Sequence, residues 1–303
     1  MTSIAVIGQG FVGGSLSAVF AERGVDVWTY DRAHKKATSP GPGRIGAAFT
    51  LEDLVAQYES EDSCSRVYFI CLPTPMRQDR RADITAIKKT LDVLARIKGE
   101  RIAVIKSTVP PGTTEALNKD LVGSDVTCIF NPEFLTEANA LDDMRNQNRI
   151  ILGGPRPWIN RVKSIYQTSF PRVPIIKTSS TVAEMVKYFT NVHLAARVIL
   201  SCEMYEVCEA LDRRGYNVDY DKVVEYAKHD TRLGGSHMNV PGNDGIPGAR
   251  GHCFPKDLAA LISVAHDVDI VPLVMEALWT KNLAVVPPSE RDWERMPGRA
   301  VVA

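Results

Sequence analysis

Two stretches of the chain place residue types that chemistry needs at fixed spacings. Near the start, Gly8-Gln9-Gly10-Phe11-Val12-Gly13 follows the apolar run Ile4-Ala5-Val6-Ile7 and opens a helical pattern, and Asp31 closes the next apolar run. The first glycine of such a motif permits a tight turn, the second admits a pyrophosphate to the backbone, and the third lets helix and strand pack closely. The helix N-terminus behind it offers free N–H groups to phosphate. A carboxylate at Asp31 accepts hydrogen bonds from adenine ribose hydroxyls, which favours NAD over NADP, while Arg32, Lys35 and Lys36 bring positive charge beside it. Gly8, Gly10, Phe11, Val12, Gly13, Asp31 and Lys36 form the candidate cofactor-binding set of this segment. Farther on, Lys187 and Asn191 are four residues apart in a helical pattern, so they share one face. An ammonium and an amide N–H converging on one oxygen would stabilise a developing alkoxide or tetrahedral oxyanion.

These residues need a sheet and a long helix to position them. β-Branched runs at 4–7, 25–30, 67–70, 102–105, 126–130 and 149–152 alternate with helical patterns at 11–23, 84–97 and 157–166, the arrangement of βαβ units on a parallel sheet. Ser39-Pro40-Gly41-Pro42-Gly43 reads as a surface loop. From 181 to 212 apolar residues recur without proline or glycine, which predicts one long helix, ended by Gly215 as a left-handed cap. Helices are also expected at 220–228, 256–266 and 272–285. The expected architecture is α/β: a Rossmann-like doubly wound parallel sheet over 1–180, then an α-helical domain built on the long helix over 181–286, then a mobile tail over 287–303. Such a sheet binds ligands beyond the C-terminal ends of its strands. There lie Leu72-Pro73-Thr74-Pro75, the stretch from Lys106 to Thr113, and Asn131-Pro132-Glu133-Phe134-Leu135-Thr136-Glu137.

Composition excludes several classes. With 303 residues, 45% hydrophobic and 24% charged, the chain is an ordinary globular protein rather than a disordered one. Lys plus Arg and Asp plus Glu both total 36, so the net charge of zero gives no broad attraction to nucleic acid or a membrane surface. The six cysteines show no C-x-x-C pair and no framework spacing, which points away from a zinc ribbon or disulfide scaffold and toward a reducing cytoplasm. The six histidines show no metal-ligand spacing, so no metal is expected. The opening lacks a basic leader and glycines interrupt its apolar run, so neither a signal peptide nor a membrane span is expected.

From Ile4 to about Asn282 the order of motifs resembles the UDP-glucose/GDP-mannose 6-dehydrogenase family, above all N-P-E-F-L-x-E at 131–137, E-x-x-K-Y-x-x-N at 184–191 and C-F-P-K-D at 253–257. Ser236-His237-Met238-Asn239-Val240-Pro241-Gly242, leading into the cysteine loop, shares the likeness. The resemblance implies an NAD-dependent, four-electron oxidation of a nucleotide sugar's primary alcohol to a carboxylate, with UDP-glucose as substrate and UDP-glucuronate as product. Such chemistry must hold an aldehyde, which a thiolate does as thiohemiacetal and then thioester. The resemblance makes Cys253 that nucleophile, with Lys256 and a nearby helix N-terminus favouring its thiolate. It gives Lys187 and Asn191 the oxygen-stabilising role. Asp257 and Thr108 handle water, and Glu133 is the candidate general base for thioester hydrolysis. Thr74, Thr108 and Glu137 join the cofactor contacts, and Phe134, Leu135, Thr136, Glu137, Lys187, Asn191, Arg232 and Gly251 become the substrate-binding set. Arg232 matches an arginine that reaches across a dimer interface, so a homodimer through the helical domain is implied.

Two departures stand against this pattern. Family members continue into a third, C-terminal α/β domain, whereas here about 20 residues follow Asn282, fewer than the roughly 30 of a βαβ unit. The expectation that follows is a nucleotide bound in a different way, a separate chain completing its site, or a substrate smaller than a nucleotide sugar. Where the family has G-F-G-G before the cysteine, this chain has Gly248-Ala249-Arg250-Gly251, and Arg250 adds a positive charge able to meet an anionic group. Two other readings compete: a two-electron β-hydroxyacid or 6-phosphogluconate-type dehydrogenase with Cys253 idle, and a non-catalytic NAD-binding subunit.

Overall fold

The computed structural model describes residues 2–33, 39–62, 64–242 and 244–296. The chain forms two compact units, one made of the residues up to Thr74 together with Ile84–Lys187, the other of Pro75–Asp83 together with the residues from Tyr188 onward.

The first unit is built on a sheet of β1 (Ser3–Ile7), β2 (Asp26–Tyr30), β3 (Ile45–Ala48), β4 (Cys64–Ile70), β5 (Arg101–Ile105), β6 (Val126–Phe130), β7 (Ile150–Gly153) and β8 (Ile175–Thr178). Their order is β3-β2-β1-β4-β5-β6-β7-β8, so the first six follow the 3-2-1-4-5-6 order of a dinucleotide-binding sheet. The doubly wound expectation holds with one correction: β7 meets β6 antiparallel, through Phe130 and Gly153. The helix between them, α5 (Ala140–Arg145), has 6 residues. At 1.5 Å per residue it spans about 9 Å, short of the roughly 16 Å of a five-residue strand, so the connection returns to the end of the sheet it left.

Strands β1 and β5 are buried along their whole length, as continuous apolar runs in a sheet covered on both faces must be. Ile4, Val6, Val67, Phe69, Ile102 and Val104 pack one way against α1 (Phe11–Glu22) and α6 (Trp158–Ser169). The alternate residues Ala5, Ile7, Tyr68, Ile70, Ala103 and Ile105 pack the other way against α2 (Leu51–Glu59) and α3 (Thr85–Ala95). This period of two is the pleat expressed as two cores. A further helix, α4 (Thr113–Asp120), follows the loop after β5.

Helix α7 (Ser180–Asp212) begins in the first unit and continues into the second, and Gly215 at φ +86° ends it in the left-handed region. The second unit adds α8 (Tyr220–Ala227), α9 (Phe254–Asp267) and α10 (Leu273–Val285). Its core includes Tyr188, Val192, Ala195, Ile199, Leu258, Ile262 and Trp279, with Met76 from the 75–83 segment. The expected mobile tail is partly overturned: Pro288–Glu290 and Asp292–Glu294 form 3-10 turns and Trp293 is buried in this core, while 297–303 lie outside the described residues. Among the described residues no helix is long and apolar enough to cross a membrane, and no cluster of three or more His, Cys, Asp or Glu is placed to hold a metal ion.

Candidate active site

The glycine loop joins β1 to α1, and its geometry is enforced by backbone. Gly8 has φ +90°, and a Cβ there would lie 2.4 Å from the carbonyl oxygen of Cys71. At Gly13 a Cβ would lie 1.9 Å from the carbonyl oxygen of Gly8. Gly10, by contrast, has no atom within 4 Å of its would-be Cβ, so the second glycine faces open space where a pyrophosphate can approach. It is also the N-cap of α1, with no side chain capping the first-turn N–H groups and no acidic residue in that turn. This cradle fits a dinucleotide. Asp31, at the end of β2, accepts hydrogen bonds from the backbone N–H of Gln9 at 2.7 Å and of Ala33 at 2.8 Å, which ties the glycine loop to the next strand. A carboxylate oxygen carries two lone pairs, so acceptor capacity remains for ribose hydroxyls. Phe11 and Val12 occupy the first turn of α1; Lys36 lies outside the described residues.

Beyond β4, β5 and β6 the first unit gathers polar side chains that are buried. Thr74 donates its hydroxyl to the carbonyl oxygen of Thr108 at 2.8 Å, so those two residues are brought together. Glu133 and Lys187 form a buried ion pair at 2.9 Å, and the second carboxylate oxygen accepts the backbone N–H of Leu135 at 2.7 Å. Burial pushes the Glu133 carboxyl up, yet the Lys187 ammonium, the Leu135 N–H and the nearby Lys106 outweigh it and hold the group below the ordinary glutamate value of 4.5. The ring of Phe134 lies 5.6 Å from the Lys187 ammonium and 4.0 Å from the Arg149 guanidinium. Thr136 donates both its backbone N–H and its hydroxyl to Asp143, and Glu137 stands exposed in a 3-10 turn.

Sequence reasoning passed over two buried groups here. Lys106, at the end of β5, points its ammonium at the Asn131 side-chain oxygen at 3.0 Å, which also accepts the Tyr166 hydroxyl at 2.5 Å. Glu184, one turn before Lys187 on α7, is fully buried and accepts the backbone N–H groups of Gly112 at 2.6 Å and Thr114 at 2.8 Å. It caps α4 from outside that helix, and burial raises its pKa to about 7. Both residues lie inside motifs recognised in the sequence, and a lysine or glutamate inside an apolar segment was the signal available.

In the second unit Cys253 is the N-cap of α9 and half-buried, at the positive end of the helix dipole. Asp257, one turn on, is fully buried and accepts from the Asn191 amide at 2.6 Å and the Lys256 ammonium at 2.5 Å. Lys256 therefore pairs with Asp257, next to it in the chain. Lys187 and Asn191 lie one turn apart on α7, and each meets a carboxylate, Glu133 and Asp257 respectively. Arg232 is almost fully exposed and paired with its neighbour Asp230.

The loop before Cys253 is held from a distance. Asn282 of α10 makes a two-way bridge to Ala249, accepting its N–H at 2.8 Å and donating to its carbonyl at 3.0 Å. Gly248 has φ +96°, and a Cβ there would meet Val286 at 2.4 Å; Gly251, at φ +80°, has open space around it. Arg250 meets two carboxylates, Asp244 at 2.6 Å and Glu290 at 3.1 Å. Its charge is thus met from within the unit, which corrects the expectation of a free anion-binding group.

Residues 2–170 match the NAD binding domain of the UDP-glucose/GDP-mannose dehydrogenase family and residues 181–283 its central domain. The chain is 34% identical to the putative UDP-glucose 6-dehydrogenase YtcA of Bacillus subtilis, over 91% of its own length and 66% of that protein's. Among solved structures, it resembles a UDP-glucose dehydrogenase from Pyrobaculum islandicum with a TM-score of 0.76 at 29% identity, covering 93% of this chain and 68% of that one. A UDP-D-ManNAc dehydrogenase from Pyrococcus horikoshii gives a TM-score of 0.74 at 25% identity with the same coverage. The chain spans about two thirds of the length of these relatives. Sheet order, glycine cradle and both domain matches agree, and the chain belongs to the UDP-glucose/GDP-mannose dehydrogenase family.

Proposed function

We propose that this protein oxidises the primary alcohol of a nucleotide sugar to a carboxylate in two NAD-dependent steps, with UDP-glucose as substrate. The observation that carries the reading is a set of polar groups with no need to be inside: Thr108, Glu133, Lys187, Asn191 and Asp257 are all buried, in a chain of this family. NAD held by the Gly8–Gly13 cradle supplies the two-electron acceptor for each oxidation. Lys187 and Asn191 turn from their carboxylates to the substrate oxygen and stabilise its negative charge as the alcohol proton passes to water and the first hydride, which bound NAD would accept, leaves the carbon as the aldehyde forms. The Cys253 sulfur adds to the aldehyde carbon, and loss of a second hydride from the thiohemiacetal leaves a thioester. Water, held by Thr108 and Asp257, attacks that carbon; Glu133 takes its proton, and the Cys253 thiolate departs as the carboxylate forms. Phe134, Leu135, Thr136, Glu137, Arg232 and Gly251 are assigned to substrate, and Thr74, Thr108 and Glu137 to the cofactor as well.

The same reading includes a homodimer through the helical unit. Phe189, Leu200, Met204 and Val207 of α7 are all more than half exposed, an apolar stripe at helical spacing that a second copy would cover. The test is NADH formation with UDP-glucose and, separately, UDP-ManNAc, with Cys253→Ala and Cys253→Ser beside the parent. Two NADH per UDP-glucose, lost in Cys253→Ala, is the expected outcome. One NADH per substrate, unaffected by Cys253→Ala, would establish the two-electron alternative, and NAD binding without turnover would establish the non-catalytic one.

A further inference from the structure

Within the first unit, three charged side chains are buried together around the ends of β5 and β6: Lys106, Glu133 and Lys187. Glu133 and Lys187 neutralise each other. Lys106 is 4% exposed, and among the described residues no carboxylate pairs with it. Its partners are neutral, the side-chain oxygen of Asn131 at 3.0 Å and the backbone carbonyl of the same residue at 3.5 Å. The Cys71 thiol, pushed up to about 12 by burial, and the buried Tyr166 phenol, raised well above its usual value, add no charge. A protonated Lys106 therefore leaves the cluster with one positive charge in excess. Burial draws its own pKa down to about 8, against the pull of Cys71 and Glu133, so it remains a cation at neutral pH. A buried cation with no carboxylate in direct contact is costly to hold, and a purely structural link between two strand ends does not require one.

The proposed function gives this excess charge a purpose. Lys187 is the only cation in direct contact with Glu133 among the described residues, and the reading above sends Lys187 to the substrate oxygen. At that moment Glu133 would be left as a buried carboxylate, and burial alone drives such a group to take up a proton and stop serving as a base. Lys106 is anchored on Asn131, which is itself fixed by donating to the Ile151 carbonyl at 2.8 Å and accepting from Tyr166. It stays where it is when Lys187 moves.

We propose that Lys106 is a positioning residue for Glu133: a stationary buried cation that keeps the carboxylate ionised while Lys187 is engaged elsewhere. The proposal rests on the assignment of Glu133 as the base of thioester hydrolysis. The charged and titratable groups facing Lys106 are Cys71 after β4, Glu133 after β6, Tyr166 on α6 and Lys187 on α7.

The test is a titration of the Glu133 carboxyl by 13C NMR in the full chain, with the signal assigned from Glu133→Gln, in the parent and in Lys106→Met, Lys106→Gln and Lys106→Arg. Removing a positive charge raises an acid's pKa, so Met and Gln are expected to move the Glu133 titration upward by about one unit or more, a tenfold change in its acidity. Arg is expected to leave it near the parent value. Lys106→Gln keeps a polar group for Asn131, so it reports on charge even where Lys106→Met does not fold. A Glu133 titration unchanged in either neutral variant would overturn the proposal and leave Lys106 a structural link. In turnover, the acid limb of the pH–kcat profile should shift upward in the same variants and not in Lys106→Arg. If the carboxyl shift appears but no nucleotide sugar is oxidised, the electrostatic assignment stands and the functional reading falls.

Discussion

The two loops that carry glycine before a helix, Gly8–Gly13 and Gly248–Cys253, are built on opposite plans. In the first, the constraint is steric: Gly13 faces the Gly8 carbonyl and Gly8 faces the Cys71 carbonyl just after β4, so the loop's shape follows from absent side chains. In the second, the constraint comes from far along the chain. Asn282 bridges Ala249 in both directions, and Arg250 reaches Asp244 and Glu290. A loop defined by sterics tolerates no addition; a loop defined by partners tolerates no removal. The first kind is legible as a motif, and the second has no motif because its determinants sit on another helix and a terminal turn.

The strongest way to break the comparison is to add one methyl group to the first loop. Gly13→Ala puts a Cβ 1.9 Å from a backbone oxygen that has no flexible end to yield, so the loop must open. NAD affinity, followed by calorimetry, is expected to fall at least a hundredfold, and retained affinity would show that the cradle adapts. Next comes removal from the second loop. Asn282→Leu leaves the buried N–H and carbonyl of Ala249 without partners, at about 1–3 kcal/mol each. Denaturant unfolding should register a loss of about 2–6 kcal/mol, and kcat should fall while the NAD dissociation constant stays within about twofold.

Arg250→Gln is the milder probe of the same loop, since its two ion pairs have partly exposed carboxylates. About 1 kcal/mol of stability and a few-fold loss of kcat are expected, again without an effect on NAD binding. A change in NAD affinity in either variant would contradict the separation of the two loops. A pH-dependent effect concerns Glu184, on the first unit alone. Its folded pKa, about 7, lies above the ordinary 4.5, so the folded state holds this proton more tightly and loses stability as pH rises between those values. Glu184→Gln should flatten that part of the stability–pH curve, measured by urea unfolding from pH 4.5 to 7.5. An unchanged slope would mean that another group sets it.

Legibility followed the same division throughout the molecule. The buried central strands announce themselves as runs such as Ile102-Ala103-Val104-Ile105, whereas the edge strands β3 (Ile-Gly-Ala-Ala) and β8 (Ile-Ile-Lys-Thr) do not, because each is partly solvent-facing and short. Helix α2 passed unread although Thr50, whose hydroxyl caps it by accepting the Asp53 N–H, stood three residues before an acid. Helix α4 has only Thr114 and Leu117 buried and owes its N-terminus to Glu184, seventy residues later. At the site, the identities of Cys253, Lys187, Asn191 and Asp257 stood out as motifs, but their pairings did not. That Asn191 and Lys256 both turn to Asp257, and Lys187 to Glu133, depends on three-dimensional distances no spacing rule contains.

The nine residues Pro75–Asp83 belong with the helical unit, so the chain passes between its two units three times. Met76 is buried among residues of α7, α9 and α10, and Arg81 grips Asp267 with both guanidinium nitrogens. On the ribosome this short segment emerges roughly 170 residues before α9, a wait of about 10–30 seconds at about 5–20 residues per second. The helical unit therefore cannot close until nearly the whole chain is made. A single cut after Lys187, by a protease or by a cloning boundary, leaves the first unit whole but strips Pro75–Asp83 from the helical unit.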